Sequence, residues 1–390
     1  MKGLHTLQST AFEVLINPHH GAPGVTILPA SGFQRAKAVI SSWPGYAPTP
    51  LRRLSGLADV GEVWIKDESG RFGLGSFKAL GGAYAVANLL TAVLSRRGVA
   101  LSASPEDLAE GRYADATRTV TVTCATDGNH GRSVAWGAAR FHCRCVIFVH
   151  ETVSPGRVDA MARFGAEVIR VPGNYDDAVR AADRQAREHG WLVVSDTSYP
   201  GYTEVPRDVM QGYRLMADEA ADQWPGAPPT HVFIQAGVGG AAAAVSVQMR
   251  LRFEPAPLLI VVEPDHAACL LASAKAGTPT AVHGSLQTIM AGLACGEASL
   301  LAWQELERTA YAFMAIPDAA AVRALRHLAA IGIPIGESGV AGMAGLVLAA
   351  ADPSTRKLLK LHSDSRVLLF GTEGVTDPAV YKKIVSSRQS

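Results

Sequence analysis

The sequence predicts an α/β protein built on largely parallel sheets. From residue 51 onward, short apolar runs rich in Val, Ile and Phe alternate with longer stretches of helical period, the order expected of strand–helix–strand units. Three of those runs are followed by glycine-rich turns that open helices, at Gly70–Gly75, Gly128–Gly131 and Gly237–Gly240. The 390 residues are 48% hydrophobic and 18% charged, which suits a large core behind a modest charged surface. That length accommodates two domains, or one large domain carrying an insertion.

Taken in order, residues 1–50 show no periodic run and read as irregular. Turns are expected from Asn17 to Pro23 and from Trp43 to Pro50. His19 and His20 read as surface residues, because no second ligand pair lies nearby at a metal-binding spacing, and no metal is expected. Val63-Trp64-Ile65 reads as a strand. A polar, glycine-rich turn follows, and Ala79, Leu80, Ala83, Tyr84 and Ala87 mark a helix that begins at Lys78. Four further strands are expected at Val120–Ala125, Cys145–Val149, Glu167–Val171 and Trp191–Ser195. Helices Ser133–Phe141, Gly156–Phe164 and Asp176–His189 lie between them. Residues 101–116 carry a helix-capping pattern and read as a surface insertion. Strands resume at Val232–Gln235, Leu258–Glu263, Ala310–Ala315 and Val367–Gly371, and no 20- to 50-residue period marks a solenoid.

Composition excludes several function classes. A formal net charge of +1 supplies no field for nucleic acid or an anionic membrane. No apolar run reads as a membrane span, and the N-terminus lacks a signal peptide's apolar core. Five cysteines in a chain this long make no disulfide framework, and Cys143-Arg-Cys145 has neither redox nor zinc spacing. The expected compartment is the cytoplasm.

Lys78 stands between Phe77 and Ala79-Leu80. A lysine desolvated in such a place is more readily neutral and can form a Schiff base with a carbonyl cofactor. A lysine in a first helical turn is more often solvated, so Lys78 alone decides nothing. The loop Thr126-Asp-Gly-Asn-His-Gly131 lets backbone wrap a ligand and offers the Asn129 amide. The loop Gln235-Ala-Gly-Val-Gly-Gly-Ala241 presents backbone N–H groups and a helix start to a phosphate. A dinucleotide reading of Gly237-Val-Gly239 lacks its usual place and the acidic residue roughly 20 positions on, although Glu263 does end the next strand. Gly73-Leu-Gly-Ser-Phe-Lys78 lacks the Gly-Lys-Ser/Thr of a nucleoside-triphosphate loop.

Together the lysine and the two loops resemble the fold-type II pyridoxal-phosphate enzymes. Within them the chain is most similar to the diaminopropionate ammonia-lyases, through Lys66-Asp-Glu-Ser69, Arg71-Phe-Gly-Leu74, Glu151–Arg157, Asn174–Ala178, Met290–Gly296 and Gly371-Thr-Glu-Gly374. The resemblance implies the tryptophan synthase β-like, two-domain architecture. A large domain of residues 1–84 and 197–390 would bind pyridoxal 5'-phosphate, with a small domain, 85–196, inserted in it. It also implies a small amino-acid substrate and a homodimer.

By the same resemblance Lys78 binds the cofactor and acts as a base at the substrate α-carbon. Asn129 bonds the ring's phenolic oxygen, and the N–H groups of Gly237, Val238, Gly239, Gly240 and Ala241 hold the phosphate. The Thr372 hydroxyl meets the pyridine nitrogen, with Glu373 beside it as a carboxylate that would change the electronics. Asp127 stands where dehydratases carry Ser. A carboxylate there can pair with a β-ammonium group and shuttle a proton, or serve as a second base opposite Lys78. It can also simply cap the next helix. Asp196, at a strand's C-terminal edge, fits the substrate's distal amine or a plain turn. Tyr175 matches a family motif and is taken as substrate-binding.

The implied reaction is β-elimination of ammonia from 2,3-diaminopropionate, on both enantiomers if Asp127 is a base. The rivals are a threonine or serine dehydratase or β-replacing synthase on the same fold, and a non-catalytic ligand-binding protein. Finally, Cys269 and Cys295 are expected at the base of a mobile loop, Ala272 to Leu293, with α-carbons within about 7 Å.

Overall fold

The computed structural model describes residues 11–22 and 24–386, so Pro23 of the first expected turn lies outside the described residues. Its strands are β1 (Glu13–Ile16), β2 (Leu51–Leu54), β3 (Glu62–Asp67), β4 (Thr121–Ala125), β5 (Arg144–His150), β6 (Glu167–Val171), β7 (Leu192–Val193), β8 (His231–Gln235), β9 (Leu258–Pro264), β10 (Ala312–Ile316) and β11 (Arg366–Gly371). Contacts divide the chain into two units. One holds Pro48–Ser76 with the described parts of Met1–Leu28 and Met216–Ser390; the other holds Pro29–Ala47 and Phe77–Leu215. These boundaries differ from the expected insert at 85–196. The reason is packing: the helix Lys78–Arg96 lies against the helix Asn129–Arg140, so it joins the second unit.

The first unit carries a seven-stranded sheet, ordered β1-β10-β9-β8-β11-β3-β2. Its five inner strands run parallel, and β1 and β2 pair antiparallel at the two edges. Inner strands of a parallel sheet are buried on both faces, and Phe233, Ile260, Val262, Val367 and Leu369 all lie in the core. The Ala- and Gly-rich helix Ala341–Ala351 packs on them almost wholly buried. A methyl at Gly342 would meet the Phe233 carbonyl oxygen at 2.8 Å, so only glycine allows that approach.

Residues 1–50 are not irregular throughout. They form β1 and the helix Ala30–Ser41, whose N-cap is Pro29 with no side-chain cap. A four-residue edge strand and an uncapped helix leave little local signal.

The Lys66-Asp-Glu-Ser stretch and Arg71 form a buried ion network in this unit. Lys66 Nζ lies 2.8 Å from Glu219 Oε2 and donates to the Thr49 carbonyl at 2.6 Å. Arg71 donates to Glu68 and, through both terminal nitrogens, to Glu219 at 2.8 and 2.7 Å. All four side chains are buried, so the charges must be paired in this way to be tolerated. The network fixes the turn that ends at Ser76, which bridges to Glu373.

The second unit carries an all-parallel sheet, β6-β5-β4-β7. The expected strand Trp191–Ser195 shortens to Leu192–Val193. The Tyr202 hydroxyl takes the backbone there, accepting from Ser195 N at 3.0 Å and donating to the Val193 carbonyl at 2.9 Å. Residues 101–116 form the helix Pro105–Ala109, closed by a capping box from Ser104, and the helix Ala114–Thr117.

The helix Lys78–Arg96 is long and apolar enough to cross a membrane, contrary to the reading of the sequence. Here it is a core helix, with Leu80, Ala83, Val86 and Leu90 fully buried. Ser133 ties its start to the neighbouring helix: its hydroxyl donates to the Lys78 carbonyl at 2.7 Å and accepts from Ala83 N at 3.2 Å. A methyl at Gly137 would come within 2.8 Å of Ala83 Cα, so the two helices touch at backbone distance. Ser133→Ala is expected to lower unfolding stability by about 1 kcal/mol, the worth of a buried hydrogen bond, read as a lower denaturant midpoint at unchanged slope.

Candidate active site

In the second unit, Lys78 is the first residue of its helix, following Phe77. Its ammonium is bonded to Asp196 and lies 5.3 and 5.5 Å from the ring centroids of Phe77 and Tyr213. An amine so placed is held by one carboxylate against two aromatic walls. Burial alone would push the Asp196 carboxyl up. The Lys78 charge and the bond from Lys78 outweigh it, and hold that carboxyl well below the usual range. Asp196 is therefore an anion at any physiological pH. Burial also raises the Tyr213 hydroxyl above its ordinary value, so it stays protonated.

His130 extends this cluster. Its Nε2 is 2.7 Å from the Val194 carbonyl, which can only accept, so that nitrogen carries the hydrogen. Its Nδ1 lies 3.9 Å from Asp196 Oδ2 and has no hydrogen-bond partner among the described residues. Burial lowers the His130 pKa, Asp196 raises it and Lys78 lowers it again; the net shift is downward, leaving a neutral ring whose Nδ1 can accept.

Asp127 does not cap the helix Asn129–Arg140. The N-cap is Gly128, at φ 154° and with no side-chain bond. Thr126 does that work: its hydroxyl accepts from Gly128 N at 3.0 Å and Gly131 N at 3.1 Å. The Asp127 carboxylate instead meets His150 Nε2 at 2.8 Å, and His150 Nδ1 meets the Thr152 hydroxyl at 2.9 Å. Arg157 donates to the Asp127 carbonyl at 3.2 Å, and Ser154 caps the helix that bears Arg157. His150 ends β5, 23 positions from Asp127, and no local pattern announces the pairing. Asn129 opens the helix after Gly128, and Tyr175 opens the helix Tyr175–His189, half-buried.

In the first unit, β8 ends at Gln235 and the loop Ala236–Gly239 leads into the helix Gly240–Arg252. Gly239 sits at φ 96°, which glycine adopts without strain, and no side chain caps the helix start. Backbone N–H groups of an uncapped first turn suit a phosphate. A side chain at Gly237 would meet Cys295 Sγ at 3.0 Å and Leu293 Cα at 3.2 Å, so the Met290–Gly296 stretch closes directly on the loop.

Cys269 Sγ also reaches the loop, 3.5 Å from the Gly237 carbonyl, and neither Cys269 nor Cys295 is in a disulfide. The expected loop Ala272 to Leu293 is shorter than predicted: the helix Cys269–Ala276 and the turn Ala291–Leu293 take its ends. Ile289 N bonds Asp318 at 3.0 Å and Val282 N bonds Gly296 O at 2.8 Å.

Thr372 follows β11 and is buried, its hydroxyl accepting from the Gln235 amide at 2.6 Å. Glu373 turns its carboxylate to Ser338 N at 2.9 Å. Among the described residues no cluster of three or more His, Cys, Asp or Glu could hold a metal.

A family model described as "Pyridoxal-phosphate dependent enzyme" matches residues 42–370. Diaminopropionate ammonia-lyase of Escherichia coli strain K12 is 41% identical over 358 residues, covering 87% of this chain and 88% of that one. The chain belongs to the diaminopropionate ammonia-lyase family of pyridoxal-phosphate dependent enzymes. The solved holo diaminopropionate ammonia-lyase of Escherichia coli matches it with a TM-score of 0.88 at 37% identity over 97% of both chains. The same enzyme in complex with an aminoacrylate-PLP azomethine reaction intermediate matches at 0.85, with the same identity and coverage.

The residues of this pyridoxal-phosphate enzyme fit the group. Taken unit by unit, the first has an uncapped glycine loop that a Cβ would fill and a buried hydroxyl with a hydrogen to give, and the second has an amine at a helix start and an imidazole nitrogen without a hydrogen-bond partner among the described residues.

Proposed function

We propose that the protein eliminates ammonia from 2,3-diaminopropionate. The α-hydrogen and the β-amine leave as ammonia, and water then converts the remaining enamine to pyruvate with release of a second ammonia. The observation that carries this reading is the Asp127 carboxylate, relieved of capping by Thr126 and bonded to His150. A substrate with a cationic β-ammonium group is matched by an anion there, where a hydroxy amino acid needs only a hydroxyl. That favours the ammonia-lyase over a dehydratase or a β-replacing synthase. The retained Lys78 amine argues against a non-catalytic ligand-binding protein.

When bound, pyridoxal phosphate supplies the electron sink that stabilises negative charge at the α-carbon. Lys78 would supply the amine that holds it covalently and, as a free amine, would take the α-proton. The Asn129 amide orients the ring through its phenolic oxygen. Backbone N–H groups of Gly237, Val238, Gly239, Gly240 and Ala241 bind the phosphate. Thr372 offers a neutral hydroxyl to the ring nitrogen. Asp196, ionised throughout, and Tyr175 hold the distal amine of the substrate, and the Asp127 carboxylate pairs with it so that it keeps its ammonium proton and leaves as neutral ammonia. The family likeness also supports a cytoplasmic homodimer; a monomer in sedimentation velocity would remove that part of the reading.

The test is direct. Protein loaded with pyridoxal phosphate is expected to change its visible spectrum on adding 2,3-diaminopropionate and to release pyruvate with two equivalents of ammonia. Turnover of threonine or serine with none of diaminopropionate would move the assignment to a dehydratase. A spectral change without any turnover would favour the binding protein.

A further inference from the structure

Gln235 ends β8 with its side chain buried against the end of β11. The pairing of β8 with β11 runs only to Phe233 and Leu369. Beyond it the Gln235 amide takes over, with Nε2 2.7 Å from the Phe370 carbonyl oxygen, 2.6 Å from Thr372 Oγ1 and 3.3 Å from the Gly339 carbonyl oxygen. The orientation of this amide is not ambiguous. Carbonyl oxygens only accept, so the atom facing Phe370 and Gly339 is the nitrogen. An amide nitrogen does not accept either, so Thr372 Oγ1 is the acceptor of its bond to Gln235. The Thr372 hydroxyl hydrogen is left over, with no acceptor among the described residues. Gln235 Oε1 is likewise buried without a partner among them, so the side chain gains nothing from turning over.

From this arrangement, resting on the reading that Thr372 meets the ring nitrogen, we propose that Gln235 is a positioning residue that sets the direction of the Thr372 hydroxyl. One lone pair of its oxygen is taken by the amide, the Phe370 and Gly339 carbonyls are taken by the same nitrogen, and its hydrogen has no other acceptor among the described residues, so that hydroxyl meets the ring nitrogen as a donor. A donor stabilises the neutral nitrogen and opposes its protonation. Had Gln235 been apolar, the same hydroxyl could rotate and accept from a protonated ring. The residue thus selects the tempered electron sink that suits elimination over transamination, without touching substrate or cofactor.

The experiment reads the ring nitrogen rather than turnover. Wild type, Gln235→Met, Gln235→Glu and Thr372→Val are each loaded with pyridoxal phosphate labelled at that nitrogen, and its magnetic resonance shift is followed against pH. Wild type is expected to hold the nitrogen unprotonated at neutral pH. Gln235→Met keeps the side-chain length and frees the hydroxyl, so the apparent pKa of the nitrogen should rise by about one unit, a tenfold gain in the protonated form, as loss of one hydrogen bond warrants. If Gln235→Met does not fold, Gln235→Glu decides: its carboxylate accepts from Thr372, and the same rise is expected. A folded, cofactor-loaded Gln235 variant with the wild-type titration overturns the proposal. A wild-type titration in Thr372→Val would sink the Thr372 reading and this proposal with it. A changed titration in Thr372→Val with none in the Gln235 variants sinks this proposal alone.

Discussion

Lys78→Ala is expected to abolish pyruvate formation, by more than about a thousandfold, and to purify without the visible band of covalently held cofactor. The size follows from what one amine does. On the proposed reading it makes the covalent bond to the cofactor and is the base for the α-proton; general acid–base work alone is typically worth about 10² to 10⁴. The fold should survive, because the helix start is tied by the Lys78 carbonyl to Ser133, a bond the alanine backbone keeps. The neighbouring carboxyl gives an independent readout. Asp196 owes much of its depressed pKa to the Lys78 charge and bond, with burial pushing the other way, so its pKa should rise in the variant. Sustained turnover in Lys78→Ala would remove the whole assignment.

The placement of Lys78 was legible because its signals are local. An apolar strand, a glycine-rich turn and a helical period follow one another within about twenty residues, which is the range that sequence pattern reports. The inner strands β4, β8, β9 and β11 were legible for the same reason: buried on both faces, they read as unbroken apolar runs. What failed was non-local. Lys66 and Arg71 read only as stretches carrying the family resemblance, whereas their partner Glu219 lies 148 residues from Arg71 and makes them structural. Gln235 read as the flank of a glycine loop, since nothing near it points to Thr372, 137 positions on. Asp127 was readable as a carboxylate with two possible duties. Only the Thr126 hydroxyl on the helix N–H groups, and His150 on the carboxylate, separate them.

That separation makes Asp127→Asn the sharper test of substrate and stereochemistry. Asparagine keeps the size of the side chain and a bond to His150, and removes the charge and the proton-accepting capacity. Since Thr126 holds the cap, stability should change by no more than about 1 kcal/mol, the worth of a part-exposed hydrogen bond. Activity should behave differently. If Lys78 takes the α-proton of one enantiomer of diaminopropionate and Asp127 that of the other, the second should lose about 10² to 10⁴ in kcat/KM, the ordinary worth of a general base. The first should lose less, through weaker pairing with the β-ammonium group alone, and mostly in KM. Equal, small losses for both enantiomers would leave Asp127 as a binding charge only. A large loss of stability with activity per folded molecule intact would return it to a structural duty that the Thr126 cap leaves no room for.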